Sequence, residues 1–204
     1  MTPRFKLQGD IKDGDASRLT DFLTENPGKV IVEINSPGGA ATEGAALMAE
    51  IERHGHVTAY VTGIAASAAT LPMVASQEVI VHATAMVMIH EPAASGVWTA
   101  DEMRDTAQTL DKLGRTYAEA YARHTGHSVA RIAAWMKAET WLTADEAVEL
   151  RFADRIEGAE TPQMVAAFDY SKFNQPPEHL VRLALKNGWA AASPDQQKET
   201  DNAV

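Results

Sequence analysis

Gly63-Ile64-Ala65-Ala66-Ser67-Ala68-Ala69 sets a serine among glycine and alanine, directly behind the β-rich run Val57-Thr58-Ala59-Tyr60-Val61-Thr62. The pattern predicts a strand over 57–62, then an apolar helix opened by the run itself and carried to about Ser76. The first N–H groups of a helix have no partner within it, and they favour negative charge. Small neighbours leave room for a substrate backbone beside the hydroxyl. Twenty-three residues on, Met88-Ile89-His90-Glu91-Pro92 ends another β-rich run with a histidine. Upstream, Asn35-Ser36-Pro37-Gly38-Gly39 puts a glycine pair after a third. Singly, these are a tight helix contact, a polar strand end and a turn. Together they offer a nucleophile, a base and an anion-binding backbone.

Strands are expected at 4–8 and 29–34, with a helix between them over 15–25 carrying Leu19, Phe22 and Leu23 at helical spacing. A helix runs from Gly39 to near Gly55, and short strands lie near 78–82 and 86–90. This alternation with short connections predicts an α/β domain with a largely parallel sheet. The longest helix is expected over 99–124. Thr99 and Glu102 form a capping box there, and Met103, Ala107, Leu110, Leu113, Tyr117 and Tyr121 form an apolar stripe suited to core or to an interface. Helices are also expected at 128–137 and, behind the Thr143–Glu146 capping box, at 143–151. The character changes after Gly158. Asn174-Gln175-Pro176-Pro177 marks a break, 177–187 a small helix, and the polar run from Ser193 disorder. The domain is thus placed at 1–158, with a partly disordered extension over 159–204.

The chain has 204 residues, 45% hydrophobic and 23% charged, as in an ordinary globular protein. Its net charge of −10 argues against a nucleic-acid partner, which requires a basic face. It has no cysteine, hence no disulfide or thiolate metal site. No apolar run is long enough for a membrane span, and the first residues lack the apolar core of a signal peptide, so a cytoplasmic protein is expected. His54 with His56, and His124 with His127, fall short of the three ligands a metal site needs and read as helix-end residues. No metal or cofactor is expected.

The ordered set Ile34-Asn35-Ser36-Pro37-Gly38-Gly39, Gly63-x-Ala65-Ala66-Ser67 and Met88-Ile89-His90-x-Pro92 resembles the ClpP family of serine peptidases. The match continues through Thr125-Gly126-His127 and Trp141-Leu142-Thr143-Ala144-Asp145-Glu146-Ala147-Val148-Glu149, over roughly residues 5 to 157. The resemblance implies a ClpP/crotonase-like α/β fold of stacked, largely parallel sheets, with the 99–124 helix projecting as a handle between two rings. It implies a ring-shaped homo-oligomer acting on polypeptide substrates. Ser67 becomes the nucleophile and His90 the base that takes its proton, since an imidazole titrates near working pH. By resemblance, the N–H groups of Gly39 and Ala68 form the oxyanion hole. Gly38 and the segment Ala93-Ala94-Ser95-Gly96, an extended strand in the family, bind the substrate backbone.

Three departures from the family pattern matter. Glu139 stands where the family has the aspartate that orients the histidine, with Asp145 the next candidate and Asp154 read as structural. Ala138 stands where the family has an arginine that links the rings to the active site. Only Met1-Thr2-Pro3 precede the first strand, so the family's ATPase partner is not expected. The Glu139-Thr140-Trp141 block and the stretch Ala166-Ala167-Phe168-Asp169-Tyr170-Ser171-Lys172-Phe173 resemble the ClpP-related head maturation proteases of tailed phages, which implies capsid or scaffold proteins as substrates and an assembling prohead as the site of action. Two other readings use the same residues: a housekeeping ClpP-like subunit working with an ATPase, and a catalytically weak crotonase-like assembly scaffold. An acyl-CoA hydratase or isomerase on this scaffold would need neither Ser67 nor His90.

Overall fold

Strands and helices alternate in the order β1 (Arg4–Gln8), α1 (Asp15–Glu25), β2 (Val30–Ser36), α2 (Ala41–His54) and β3 (Val57–Ala66). A 3-10 turn (Ser67–Ala69) and α3 (Thr70–Val74) follow, then β4 (Glu78–His82), β5 (Met86–Ile89), α4 (Ala100–Thr125) and α5 (Val129–Lys137). The series closes with β6 (Thr140–Thr143), α6 (Ala144–Glu149), β7 (Arg155–Glu157) and, beyond a second 3-10 turn at Tyr170–Lys172, α7 (Glu178–Lys186). The computed structural model describes residues 1–158 and 165–190. The disorder expected from Ser193 lies outside the described residues. The chain divides into two units, Met1–Ala166 and Ala167–Val204. In the second, Phe168, Tyr170 and Phe173 pack their rings together, and Leu180 and Ala184 are the buried residues of α7.

One mixed sheet carries the first unit. Its order is β1-β2-β3-β4-β7, with β5 joined to β3 and β6 to β5, and every pairing is parallel except β5 with β6. β3 is the hinge of this layout. Its first half pairs with β2 and β4; its second half, Ile64–Ala66, pairs with β5. The sheet therefore splits along β3 into two arms. Val30, Val32 and Ile34 of β2 point to a face closed by Leu19 and Leu23 of α1 and by Leu47 and Ile51 of α2. Fully burying side chains of this kind contributes about 1.5–3 kcal/mol each.

The helix expected to open at Gly63 instead begins at Ser67, because β3 runs through Ala66. Gly and Ala carry no strand preference of their own. Pairing of Ile64, Ala65 and Ala66 with Met86, Val87 and Met88 overrides it. The short strands β6 and β7 were not expected; they pair at the margins with β5 and β4.

The other boundaries follow local chemistry. Thr99 and Glu102 close the capping box that starts α4, and Gly126, at φ 74°, donates its N–H to Ala122 to end it. α4 is 26 residues long. Its early turns are largely exposed, whereas Tyr117, Ala118, Ala120 and Tyr121 are buried near its end. Among the described residues, no helix is long and apolar enough to cross a membrane.

Candidate active site

Ser67 sits where β3 turns into helix, with a left-handed φ of 53°. A non-glycine residue there costs about 1–3 kcal/mol, a strain found where a side chain must be presented in one direction. The register of β2 against β3 fixes what lies beside it. Ile34 pairs with Val61, but Ser36 pairs with Ala65, so β3 holds two extra residues at this point. Such an irregularity re-aims the chain that follows it. The shifted register brings Gly38 alongside Ser67. A Cβ on Gly38 would lie 2.7 Å from the Ser67 Cβ and 3.0 Å from the Ala68 nitrogen.

Gly39, at φ 146°, forms an isolated parallel bridge with Ile11. Ile11 donates its N–H to Gly38, and Ala40 donates its N–H to Ile11. Those two bonds turn Gly39's own N–H to the side away from Ile11. Ala68 lies in the first turn of its helix, where N–H groups have no intrahelical acceptor.

His90 follows β5 directly. Its Nε2 lies 2.7 Å from Ser67 Oγ, a full-strength hydrogen-bond distance; with the imidazole proton on Nδ1, the side facing Glu139, the hydroxyl is the donor. Burial lowers the His90 pKa below the usual histidine value, with the charges of Glu139 and then Glu91 pulling it back up. A base of this kind stays neutral, and so able to accept a proton, at neutral pH.

Glu139 lies between α5 and β6, also at a left-handed φ, 49°. It is 5% exposed. Its Oε2 is 4.0 Å from His90 Nδ1, an ion-pair distance longer than a hydrogen bond. Its Oε1 accepts the Trp141 indole N–H at 3.3 Å. This support by Trp141 was not foreseen, because it depends on the left-handed turn at Glu139, which no sequence pattern announces. Asp145 is exposed in the first turn of α6, and Asp154 accepts the Val79 N–H. Ala138 ends α5.

The segment Ala93, Ala94, Ser95 and Gly96 is exposed and carries no strand in this single copy. Three other histidines bond to backbone: His54 Nε2 meets Asn26 O, His127 Nε2 meets Leu150 O, and His124 is held by the backbone of Phe152 and Val74. Among the described residues, no group of three or more His, Cys, Asp and Glu could hold a metal ion.

Thr70 and the tyrosines of α4 complete the surroundings. Thr70 Oγ1 donates to the Ser67 carbonyl at 2.6 Å and is 2.7 Å from Tyr121 Oη. A threonine has one hydroxyl proton, so Tyr121 is the donor in the second bond.

Residues 5–160 match the family model described as Clp protease. Proteolytic subunit 1 of the ATP-dependent Clp protease of Protochlamydia amoebophila is 34% identical, over 75% of this chain and 79% of its own. Proteolytic subunit 2 of Rhodococcus jostii is 29% identical, over 74% of this chain and 80% of its own. A ClpP1 mutant from Listeria monocytogenes shares the fold with a TM-score of 0.69 at 21% identity, over 77% of this chain and 92% of that one. The sequence match from β1 to β7, with the shared fold, makes this chain a member of the Clp protease family of serine-type peptidases.

Proposed function

We propose that this chain is a serine endopeptidase in which Ser67, His90 and Glu139 form the catalytic triad. The observation that carries the reading is the 2.7 Å contact between His90 Nε2 and Ser67 Oγ on a strained strand-to-helix turn. Ser67 Oγ attacks the scissile carbonyl as His90 takes its proton. The N–H groups of Gly39 and Ala68 hold the oxyanion. His90 then returns the proton to the leaving amine, and water repeats the sequence on the acyl-enzyme. As His90 becomes cationic, its attraction for Glu139 grows, and the 4.0 Å gap is the kind that tightens during the reaction.

The exposed segment Ala93–Gly96 suits an extended peptide that adds as a strand, with Gly38, beside Ser67, taking its other side. Unfolded polypeptides are therefore the substrate class. The bare early turns of α4 support assembly into a ring of identical copies, closed by cyclic symmetry. Two roles are compatible with that chemistry. The relatives' names, ATP-dependent proteolytic subunits, favour chains delivered by an ATPase. The Glu139-Thr140-Trp141 block favours trimming of capsid or scaffold proteins during phage head assembly.

Both are tested by cleavage of unfolded casein without ATP or partner, by wild type and Ser67→Ala, with labelling by a fluorophosphonate probe. Cleavage and labelling lost together in Ser67→Ala support the triad and autonomous action. Labelling without cleavage favours the ATPase-fed role. Equal cleavage by both proteins overturns the mechanism.

A further inference from the structure

The side chain on the acyl side of a scissile bond sits one carbon from the carbonyl that Ser67 attacks. A hollow lined by Ser67 itself is the nearest that can receive it. Its walls include Ala41, Ala68, Leu71, Pro92, Tyr117 and Tyr121, and its volume is about 20 Å³. That is room for about one water-sized group, hence for a methyl. A much larger apolar cleft, about 610 Å³, opens between α4 and α5, but neither Ser67 nor His90 lines it.

Two tyrosines close the small hollow, and both are tied down. Tyr117 Oη donates to Ala41 O at 2.9 Å, and Tyr121 is held through Thr70 to the Ser67 carbonyl. The two residues are 5% and 2% exposed. Swinging either ring aside would strand a buried hydroxyl, so the hollow does not widen freely to suit a larger guest.

We infer that Tyr117 and Tyr121 are specificity-determining residues that restrict cleavage to bonds following small residues, alanine, glycine or serine. The inference rests on the peptidase reading above. It names a selectivity that neither the triad nor strand pairing supplies, since strand pairing reads backbone alone. One extra methylene in a pocket of fixed size changes selectivity by about 10–200-fold, so leucine and phenylalanine fall at or beyond the far end of that range.

The test is a set of fluorogenic peptides identical except for alanine, leucine or phenylalanine before the cleaved bond, together with peptidyl phosphonate probes bearing the same three residues. Expected is kcat/KM, and labelling rate of Ser67, at least 10-fold higher for alanine than for leucine or phenylalanine. Tyr117→Ala should level or reverse that order. Tyr117→Leu, which keeps an apolar filler but removes the phenol, should shift it part of the way and serves if the alanine variant does not fold. Wild type that handles leucine or phenylalanine as well as alanine overturns the inference while leaving the peptidase reading intact. So does an order unchanged in a folded Tyr117 variant. No turnover of any peptide and no labelling of Ser67 overturns the peptidase reading itself, and the inference with it.

Discussion

Ser67 and Glu139 both occupy left-handed backbone, at φ 53° and 49°, although neither is a glycine. Both lie at the exit of a secondary element and both approach His90, Ser67 at its Nε2 and Glu139 at its Nδ1. A fold optimised for stability alone would carry glycine or asparagine at such positions.

Replacing Ser67 by glycine and by alanine removes the hydroxyl from His90 equally, so the lost hydrogen bond cancels between the two variants. Only the backbone cost differs. Ser67→Gly should exceed Ser67→Ala in stability by about 1 kcal/mol, or roughly 2–4 °C in Tm for a chain of this size. Both should be inactive. Thermal unfolding followed by circular dichroism decides it, and equal melting temperatures would remove strain from the account of the site.

Glu139→Gln tests the third member of the triad through pH. His90 must be neutral to act as base, so kcat/KM rises with pH through the His90 pKa, which burial holds below 6.5. Glu139 raises that pKa, and its charge is lost in Glu139→Gln. The acidic limb of the pH–kcat/KM profile should therefore move to still lower pH, while the plateau falls about 10²–10⁴-fold. A plateau that falls with the limb unmoved would mean that Glu139 acts on His90 by some route other than its charge.

Much of this architecture was readable in advance. The starts of α4 and α6 were written in Thr99–Glu102 and Thr143–Glu146, because a capping box is satisfied within four residues. Ser67 and His90 stood out as a pair for the same reason that they work as one: each ends a β-rich run, and parallel strands deliver their ends to one edge of the sheet. The stretch Gly63–Ala66 was misread as helix because its conformation is set by Met86–Met88, a partner more than twenty residues away in sequence. Trp141's hold on Glu139 and the pinned hydroxyls of Tyr117 and Tyr121 were hidden likewise, since a stripe of apolar spacing shows which face is buried and not what its polar tips meet.

Gly39→Ala should be severe. A Cβ there would lie 2.2 Å from Ile11 O, so the backbone must move and the bridge to Ile11 must open. Displacing one oxyanion donor costs about 10²–10³ in rate. Gly9→Ala is the control: its φ is also left-handed, at 74°, but nothing lies within 4 Å of the added methyl. Gly9→Ala should lose about 1–2 kcal/mol of stability and keep its turnover. Similar rates for the two variants would show that Gly39 matters only as a hinge of the chain.

Trp141→Phe keeps an aromatic ring in place and removes the N–H that Glu139 accepts. The loss should be about 1–2 kcal/mol in denaturant unfolding and about 10-fold in kcat, with KM little changed, if Trp141 acts by positioning Glu139. A change in KM alone would reassign Trp141 to substrate binding.

The two extra residues of β3 between Val61 and Ala65 carry a consequence for how this gene can change. Were the ladder instead to run unbroken through them, Ser36 would pair with Gly63, in a sheet at least as regular as the present one. Gly38 and Gly39 would then draw level with Ala65 and Ala66, and the serine would stand two places out of step with the donors meant for it. Substitutions that ironed out the irregularity without changing chain length would here leave a folded but silent protein. The break in register across Thr62–Ile64 is as much a heritable part of the catalytic apparatus as the identity of Ser67.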